Sequence, residues 1–180
     1  MRITDSRYDR DRLRLALAYR LISFEARTRT IRMATQLSDD RIRKLYRDYF
    51  QGRGGTPVKR RRGKSPRQMA FFRRSLEHEH EAGVLGALLR MCDLLEPQAA
   101  PQRPSLEIVA RLCDVYETFT SLCPQPHITF EHAWHLWQML SRADEFVLSI
   151  CQDCQAQWLR DTLDILPDNC PACRRGLFVI

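Results

Sequence analysis

Apolar residues recur along most of this chain at the spacing of helices. In residues 9–33 they return at steps of three and four, which places Leu13, Leu17, Leu21 and Phe24 on one helical face, with Ile22 beside them. That face is wide enough to need a partner surface, in this chain or on another one. Before residue 150 the sequence contains no strand-like alternation. The pattern therefore predicts a mainly α fold with a multi-helix body.

Two more helices are predicted in the second half of the chain. Ser105 is expected to cap a helix over 106–122, and Thr129 to begin a helix over 130–149. The inward face of the first comprises Leu106, Val109, Leu112, Val115 or Tyr116, and Phe119. That of the second comprises Trp134, Trp137, Leu140, Phe146 and Ile150.

A further helix is predicted over residues 65–95. Its first residue is a serine that caps, a proline follows at the first helical position, and Gln68 can close a capping box. Gly83 and Gly86 indicate either the close approach of a neighbouring helix or a break into two helices. The Glu and His residues at 77–81 lack the spacing of a metal-binding helix, so we expect an exposed charged turn there.

Residues 30–50 contain two short helical patterns separated by Gln36-Leu37-Ser38. Ser38 is a natural N-cap, and the helix dipole favours the two aspartates that follow it. The second pattern places Ile42, Leu45 and Tyr49 on one face, with Arg41, Arg43, Lys44 and Arg47 largely outside it. This arrangement predicts either a helix-turn-helix whose second helix enters the major groove, or two core helices with a solvated charged face.

Residues 51–67 form a glycine-containing basic loop with few apolar residues to bury. Its cations include Lys59, Arg60, Arg61, Arg62 and Lys64. We expect these side chains to neutralise phosphates of a nucleic acid, the alternative being a solubilising surface loop.

The loop belongs to a chain whose charge is segregated. The formal net charge is +7, but residues 1–74 contain 22 Lys and Arg against 7 Asp and Glu, whereas residues 75–180 contain 7 against 15. The N-terminal part is therefore expected to meet a polyanion. Nucleic acid suits it better than a membrane, because no amphipathic segment combines a large aromatic face with a basic back.

Length and composition set the class of protein. The chain has 180 residues, 44% of them hydrophobic and 28% charged, which is typical of a soluble globular protein. It lacks an apolar run long enough for a membrane span and a secretory signal at its N-terminus. With seven cysteines and no export signal, a reducing cytoplasm is expected, with Cys92, Cys113 and Cys123 as buried free thiols.

The most specific chemical motif lies in the last thirty residues. Cys151 and Cys154 form one C-x2-C pair, and Cys170 and Cys173 form a second after a fifteen-residue spacer. This spacing predicts one structural Zn²⁺ ion held by four thiolates, with disulfides or coincidence as the alternatives. Apolar cover is expected from spacer residues, namely Trp158, Leu159, Leu163, Ile165 and Leu166. We expect a helical domain over 1–149 for DNA and partner binding, and a zinc-binding module over 150–180.

Catalysis is not expected. Four cysteine ligands leave no open coordination position for substrate or water. The sequence contains neither the H-x-E of zinc deaminases nor a phosphate-binding loop nor a nucleophile elbow.

Several of these residues together resemble the FlhC family of flagellar transcriptional activators. The resemblance runs over roughly residues 13–175 and is carried by three groups of residues. They are Thr35-Gln36-Leu37-Ser38 with Arg41-Ile42 and Lys44-Leu45-Tyr46; Cys123-Pro124 with Ala133-Trp134; and the four terminal cysteines in the family's order.

The resemblance implies a mainly helical DNA-binding protein with a four-cysteine zinc site. It also implies a heterohexamer of four FlhD and two FlhC subunits that binds upstream of flagellar operons and activates transcription with RNA polymerase. The first helix and other apolar faces would dock FlhD. From the residues alone, two other functions stay open. One is an RNA-binding or ribonucleoprotein-associated zinc module, and the other is a zinc-stabilised adaptor without a nucleic-acid role.

Overall fold

The computed structural model describes residues 5–51, 58–61, 63, 68–95, 104–142, 146–163 and 169–176. Within them the fold is mainly helical, as predicted, with one two-stranded antiparallel sheet. The helices are α1 (Asp5–Ser23), α2 (Thr28–Thr35), α3 (Asp39–Phe50), α4 (Leu76–Met91), α5 (Leu106–Leu122), α6 (Phe130–Arg142) and α7 (Pro171–Arg174). The strands are β1 (Phe146–Ile150) and β2 (Gln157–Asp161), and a 3-10 turn spans Met69–Phe71.

The chain divides into two compact units, and the division falls within α5. The first unit comprises residues 1–65 and 102–113, and the second comprises residues 66–101 and 114–180. The boundary predicted between residues 149 and 150 lies inside the second unit, where β1 runs directly into Cys151. The assignment of DNA and partner binding to residues 1–149 stays a prediction.

The helix predicted over residues 9–33 is wrong in its continuity, because the chain turns after α1. Glu25 adopts a left-handed conformation, and the N–H groups of Glu25 and Ala26 donate to the carbonyls of Ile22 and Leu21. These two bonds form a Schellman motif, which satisfies carbonyls at the end of the helix. The apolar face finds its partner largely within this chain, since Leu17, Leu21 and Ile22 are buried and α1 packs against α2 and α3.

Two helices joined by a three-residue turn are confirmed at residues 28–50. α2 ends at Thr35, and Ser38 caps α3 by accepting the N–H of Arg41. The predicted inward face of α3 needs correction. Ile42, Tyr46 and Phe50 are buried, whereas Leu45 is half-buried and Tyr49 is 56% exposed. The buried face of α3 is therefore rotated about the helix axis relative to the face that the spacing predicted.

The helix predicted over residues 65–95 is wrong in its first part. Residues 64–67, with the predicted serine cap, lie outside the described residues, and Met69–Phe71 form the 3-10 turn. α4 begins only at Leu76, after Ser75 caps it by accepting the N–H of His78. Its glycines mark a close approach, but to the hairpin rather than to a helix. A Cβ on Gly83 would lie 2.5 Å from the carbonyl oxygen of Gln157 in β2.

The helix predicted over 130–149 ends early. α6 stops at Arg142, and Phe146 opens β1, which pairs antiparallel with β2 from Phe146↔Asp161 to Ile150↔Gln157. β1 has the sequence FVLSI, whose aromatic and β-branched residues favour a strand once a partner is present. Phe146 is buried as expected, but Ile150 is 51% exposed. In contrast, the predicted inward face of α5 is confirmed from Val109 to Phe119, with Leu106 only half-buried, and the Ser105 cap is confirmed as well.

The Glu and His run at 77–81 is not simply an exposed charged turn, because His78 and Glu81 are buried. The Glu81 carboxylate accepts the backbone N–H groups of His127 and Ile128 at 3.1 and 3.0 Å. Its oxygen also lies 2.8 Å from Nδ1 of the His127 ring. One buried carboxylate thus ties α4 to the segment that leads into α6.

This carboxylate should make the stability of the second unit depend on pH. Burial alone would raise the pKa of Glu81, but the hydrogen bonds of His127 and the Ile128 N–H outweigh it and hold the pKa below its usual 4.5. Stability from Glu81 is therefore present above that value and lost as the pH falls. Hydrogen bonding to Glu81 raises the pKa of His127 above 6.5, so the histidine's contribution is present below that value and lost as the pH rises.

We expect the contribution of the pair to be largest between pH 4.5 and 6.5. Glu81→Gln should lower the free energy of unfolding by about 1–3 kcal/mol at pH 5.5, because a buried N–H loses its acceptor. Denaturant unfolding at several pH values measures this. Glu107→Gln, at an exposed glutamate of α5, is the control and should change little. Equal unfolding curves for the two variants would contradict the role of Glu81.

Candidate metal centre

The four predicted ligands meet at one end of the hairpin. Cys151 follows β1 directly, and Cys154 lies in the turn that leads towards β2. Cys170 caps α7, and Cys173 lies within that helix. The four Sγ atoms lie within 4.8 Å of one another, so residues from two distant segments form one cluster that could hold a metal ion.

The distances fit a tetrahedral four-sulfur site. A metal–sulfur bond of about 2.3 Å places tetrahedral sulfurs about 3.8 Å apart. The Sγ atoms of Cys154 and Cys170 are 3.7 Å apart. A disulfide needs about 2.05 Å, and all seven cysteines are free thiols. The cluster is therefore arranged for a shared ion rather than for disulfide pairing.

Backbone N–H groups point at the sulfurs and shape both knuckles. The N–H of Cys170 donates to Sγ of Cys151 at 3.2 Å, and the N–H of Cys173 donates to Sγ of Cys170 at 3.4 Å. Pro171 occupies the first turn of α7, where its missing N–H leaves no donor unsatisfied. The amide of Asn169 also donates to the Asp153 carboxylate at 2.6 Å, which links the two knuckles.

The thiols differ in how readily they ionise. Burial raises the pKa of Cys151, but the backbone N–H groups of Cys154, Cys170 and Asp153 outweigh it and lower the pKa to about 6. Burial and the neighbouring thiols raise the pKa of Cys170 and of Cys173. An ion entering this site must therefore displace thiol protons, and its affinity falls at low pH.

The apolar cover is only partly as predicted. Trp158 and Leu159 are buried, and Trp158 packs against Cys151 and Cys170. Leu163 is 85% exposed, so its predicted role is wrong, and Ile165 and Leu166 lie outside the described residues. Arg174, which spacing did not single out, lies over the Trp158 ring at 5.5 Å.

The remaining cysteines do not join the cluster in the part of the chain that the structure describes. Cys113 is buried, as predicted for a structural thiol, whereas Cys92 and Cys123 are half-buried. Burial raises the pKa of Cys123, and the negative charge of Glu81 adds to this effect. Cys123 is therefore a poor nucleophile at neutral pH.

The predicted DNA-binding cations of α3 are all exposed. Arg41, Arg43, Lys44 and Arg47 present their side chains to solvent, and Arg43 pairs with Asp40 at 2.9 Å. The buried residues of α3 lie on its other side. A short helix, a tight turn and a second helix with an exposed cationic face therefore occur together in the first unit.

The described part of the basic loop lies against the same helix. Lys59, Arg60 and Arg61 are exposed, and Arg60 lies over the ring of Tyr46, an α3 residue, at 5.8 Å. Arg61 forms an ion pair with Glu25 at 2.7 Å. Arg62 and Lys64 lie outside the described residues.

Comparison with protein-family models and with curated proteins gave no match for this chain. Within the described ranges, none of the helices combines the length and the apolar character that crossing a bilayer requires.

Proposed function

We propose that the chain is a DNA-binding transcriptional activator subunit whose second unit is stabilised by structural zinc. The observation that carries the proposal is the α2–turn–α3 arrangement with its exposed cations at Arg41, Lys44 and Arg47. A helix presented in this way can enter a major groove, where Arg and Lys contact phosphates and base edges.

Zinc suits the four thiolates best among common metals. Zinc prefers tetrahedral coordination, accepts four cysteines in structural sites and is not redox-active. Four protein ligands leave no position for substrate, so the ion's role here is architectural and the proposed function is not enzymatic. The proposal places the protein in the cytoplasm, where thiols stay reduced and promoters are accessible.

The proposed partners follow the resemblance to the FlhC family. We propose that the chain acts with an FlhD-type subunit in a heterohexamer of four FlhD and two FlhC subunits, and that the complex recruits RNA polymerase to flagellar promoters. Two apolar side chains of α1 support a docking role for this helix. Tyr8 and Leu13 are exposed although Leu17 and Leu21, further along the helix, are buried. Co-purification with the FlhD-type protein of the same organism tests the partnership.

The DNA-binding surface is tested by replacing Arg41, Lys44 and Arg47 together with glutamine. Each phosphate contact that is lost should reduce the salt slope of binding by about 0.9, so the triple variant should bind duplex DNA at least about tenfold more weakly. A matched control replaces three exposed cations outside α1 and α3, Arg29, Arg32 and Arg142, with glutamine. The control has the same net charge and should retain more of the affinity.

Fluorescence anisotropy at several salt concentrations, with and without the partner, measures both quantities. Equal losses in the two variants would show that only net charge matters and would remove the case for α3. Tighter binding to structured RNA than to duplex DNA would favour the RNA-binding alternative. Salt-insensitive or absent binding to both would favour an adaptor.

A further inference from the structure

Four arginines form an exposed cluster in the second unit, although sequence reasoning assigned no role to this region. Arg73 and Arg74 come just before α4, and Arg174 and Arg175 lie at the end of α7. About a hundred residues separate the two pairs in sequence, but α4 packs against α7. All four side chains are exposed, and that of Arg74 lies over the ring of Phe71 at 5.6 Å. We call these four residues the arginine cluster.

Three members of the cluster interact electrostatically with one half-buried carboxylate. Burial raises the pKa of Glu79 on α4, and the positive charges of Arg175, Arg73 and Arg174 oppose that rise. The three guanidinium groups therefore act on the same carboxylate from two elements. Arg73 also contacts Asp161 at the end of β2, with 3.7 Å between the nitrogen and the oxygen.

The cluster concentrates positive charge in a unit that is acidic overall. Within the part of the chain that the structure describes, its arginines face the carboxylates of Glu79 and Asp161. The second unit, residues 66–101 and 114–180, carries 8 Lys and Arg against 14 Asp and Glu, so this positive patch runs against the charge of its surroundings. A local concentration of arginine in an acidic unit needs an explanation beyond solubility.

The chemistry of the cluster favours a duplex phosphate backbone. Guanidinium groups match phosphate oxygens as planar, bidentate donors and stay charged at all physiological pH values. Arg174 lies over Trp158, and that ring is only 5% exposed. This ring is therefore not presented for stacking with unpaired bases, the contact on which single-strand binders rely. Backbone contacts position a protein on DNA without reading its sequence.

We propose that the arginine cluster is a second DNA-contacting surface, which grips the phosphate backbone of duplex DNA while α3 reads the groove. The inference rests on the proposed function and adds a contact in the second unit. Arg174 and Arg175 directly follow the ligand Cys173, so the metal centre fixes where they point. Zinc would then act on DNA binding indirectly, by holding half of the cluster in place.

The test uses the full-length, zinc-loaded chain and a fluorescent duplex of arbitrary sequence, titrated at several salt concentrations. The double variant Arg174→Gln, Arg175→Gln should bind at least about tenfold more weakly, with the salt slope reduced by about two. The loss should be the same for every duplex sequence, as for any phosphate contact. The charge-conserving variant Arg174→Lys, Arg175→Lys should keep the salt slope but lose part of the affinity, because an ammonium group cannot form the bidentate contact.

A second variant covers the case in which loss of the Arg174 contact with Trp158 disturbs the fold. Arg175→Gln leaves that contact in place and should reduce the slope by about one. Zinc content and thermal unfolding of each variant confirm that the second unit is intact.

Unchanged affinity and slope in the glutamine variants, while the α3 variant binds weakly, would overturn this inference and leave the proposed function standing. If the wild-type chain did not bind duplex DNA either with or without its partner, both this inference and the proposed function would be overturned. Stronger effects on structured RNA than on duplex DNA would reject duplex DNA as the occupant of the cluster.

Discussion

Replacement of Cys170 with serine is expected to abolish metal binding and to unfold the segment that the four cysteines close. Cys170 is buried, supplies one of the four sulfurs and caps α7 by accepting the Cys173 N–H. Substitutions of residues that only support a ligand already cost 10–100-fold in affinity, so loss of a ligand should cost more than about 100-fold. Small zinc modules of this kind are unfolded without their ion, so the structure of this segment should be lost together with the metal.

Elemental analysis after dialysis should find about one zinc per wild-type chain and none in Cys170→Ser, by the coordination rule for structural sites. Hydrogen exchange should show faster amide exchange over residues 146–176 of the variant, with little change in the first unit. Cys92→Ser is the matched control, because Cys92 lies outside the cluster and its loss should leave the zinc content unchanged. Retention of a full equivalent of zinc by Cys170→Ser would contradict the four-sulfur site.

The second large effect is expected from Gly83→Ala. In an exposed helix this change would stabilise the protein by about 1 kcal/mol. At Gly83, however, the new Cβ would lie 2.5 Å from the backbone carbonyl oxygen of Gln157, which cannot rotate away. Overpacking of this kind costs about 1–3 kcal/mol or more, so we expect a net loss of stability. The hairpin must move away from α4 to relieve the overlap.

Gly86→Ala in the same helix is the matched comparison. Its Cβ would meet the side-chain end of Leu148, which can change rotamer, rather than a backbone atom. The decrease in the free energy of unfolding should therefore be clearly smaller for Gly86→Ala than for Gly83→Ala. Urea unfolding measures both losses of stability, which follow from the midpoints if the m-value is the same in each variant. If Gly83→Ala were as stable as the wild type, the backbone contact between α4 and β2 would be wrong.

Local spacing was enough to predict several parts of this fold. The inward face of α5, the Ser38 cap and the two C-x2-C pairs each depend on residues only a few positions apart. Such features are decided by helical period, capping chemistry and ligand geometry, all of which are visible in a short stretch of sequence. The composition of the metal cluster needed only one further assumption, that the two pairs meet.

The misplaced boundaries have a different origin. The turn after α1 places Glu25 in the left-handed conformation that glycine usually occupies, so the usual stop signal is missing. The pattern predicts a helix where β1 lies because Phe146 and Ile150 are four positions apart, a spacing that also fits a helical face. Over five residues the two periods cannot be separated until β2 is known to pair with β1.

Long-range polar contacts were beyond the reach of sequence patterns. Glu81 meets its backbone partners 46 and 47 positions away, and only tertiary packing makes a buried carboxylate acceptable there. The arginine cluster likewise joins residues from both ends of the second unit. In sequence, each of its pairs looks like ordinary surface charge.

The contact between Gly83 and Gln157 has a consequence for how this protein can change during evolution. α4 and the hairpin meet there main chain to main chain, with no side chain between them. Their relative orientation is thus set by backbone geometry, which most substitutions leave unaltered. Exposed positions on either element can diverge without redirecting the cysteine knuckles. We expect Gly83 to tolerate substitution far less than these positions, so a single small residue keeps the rest of this surface free to adapt.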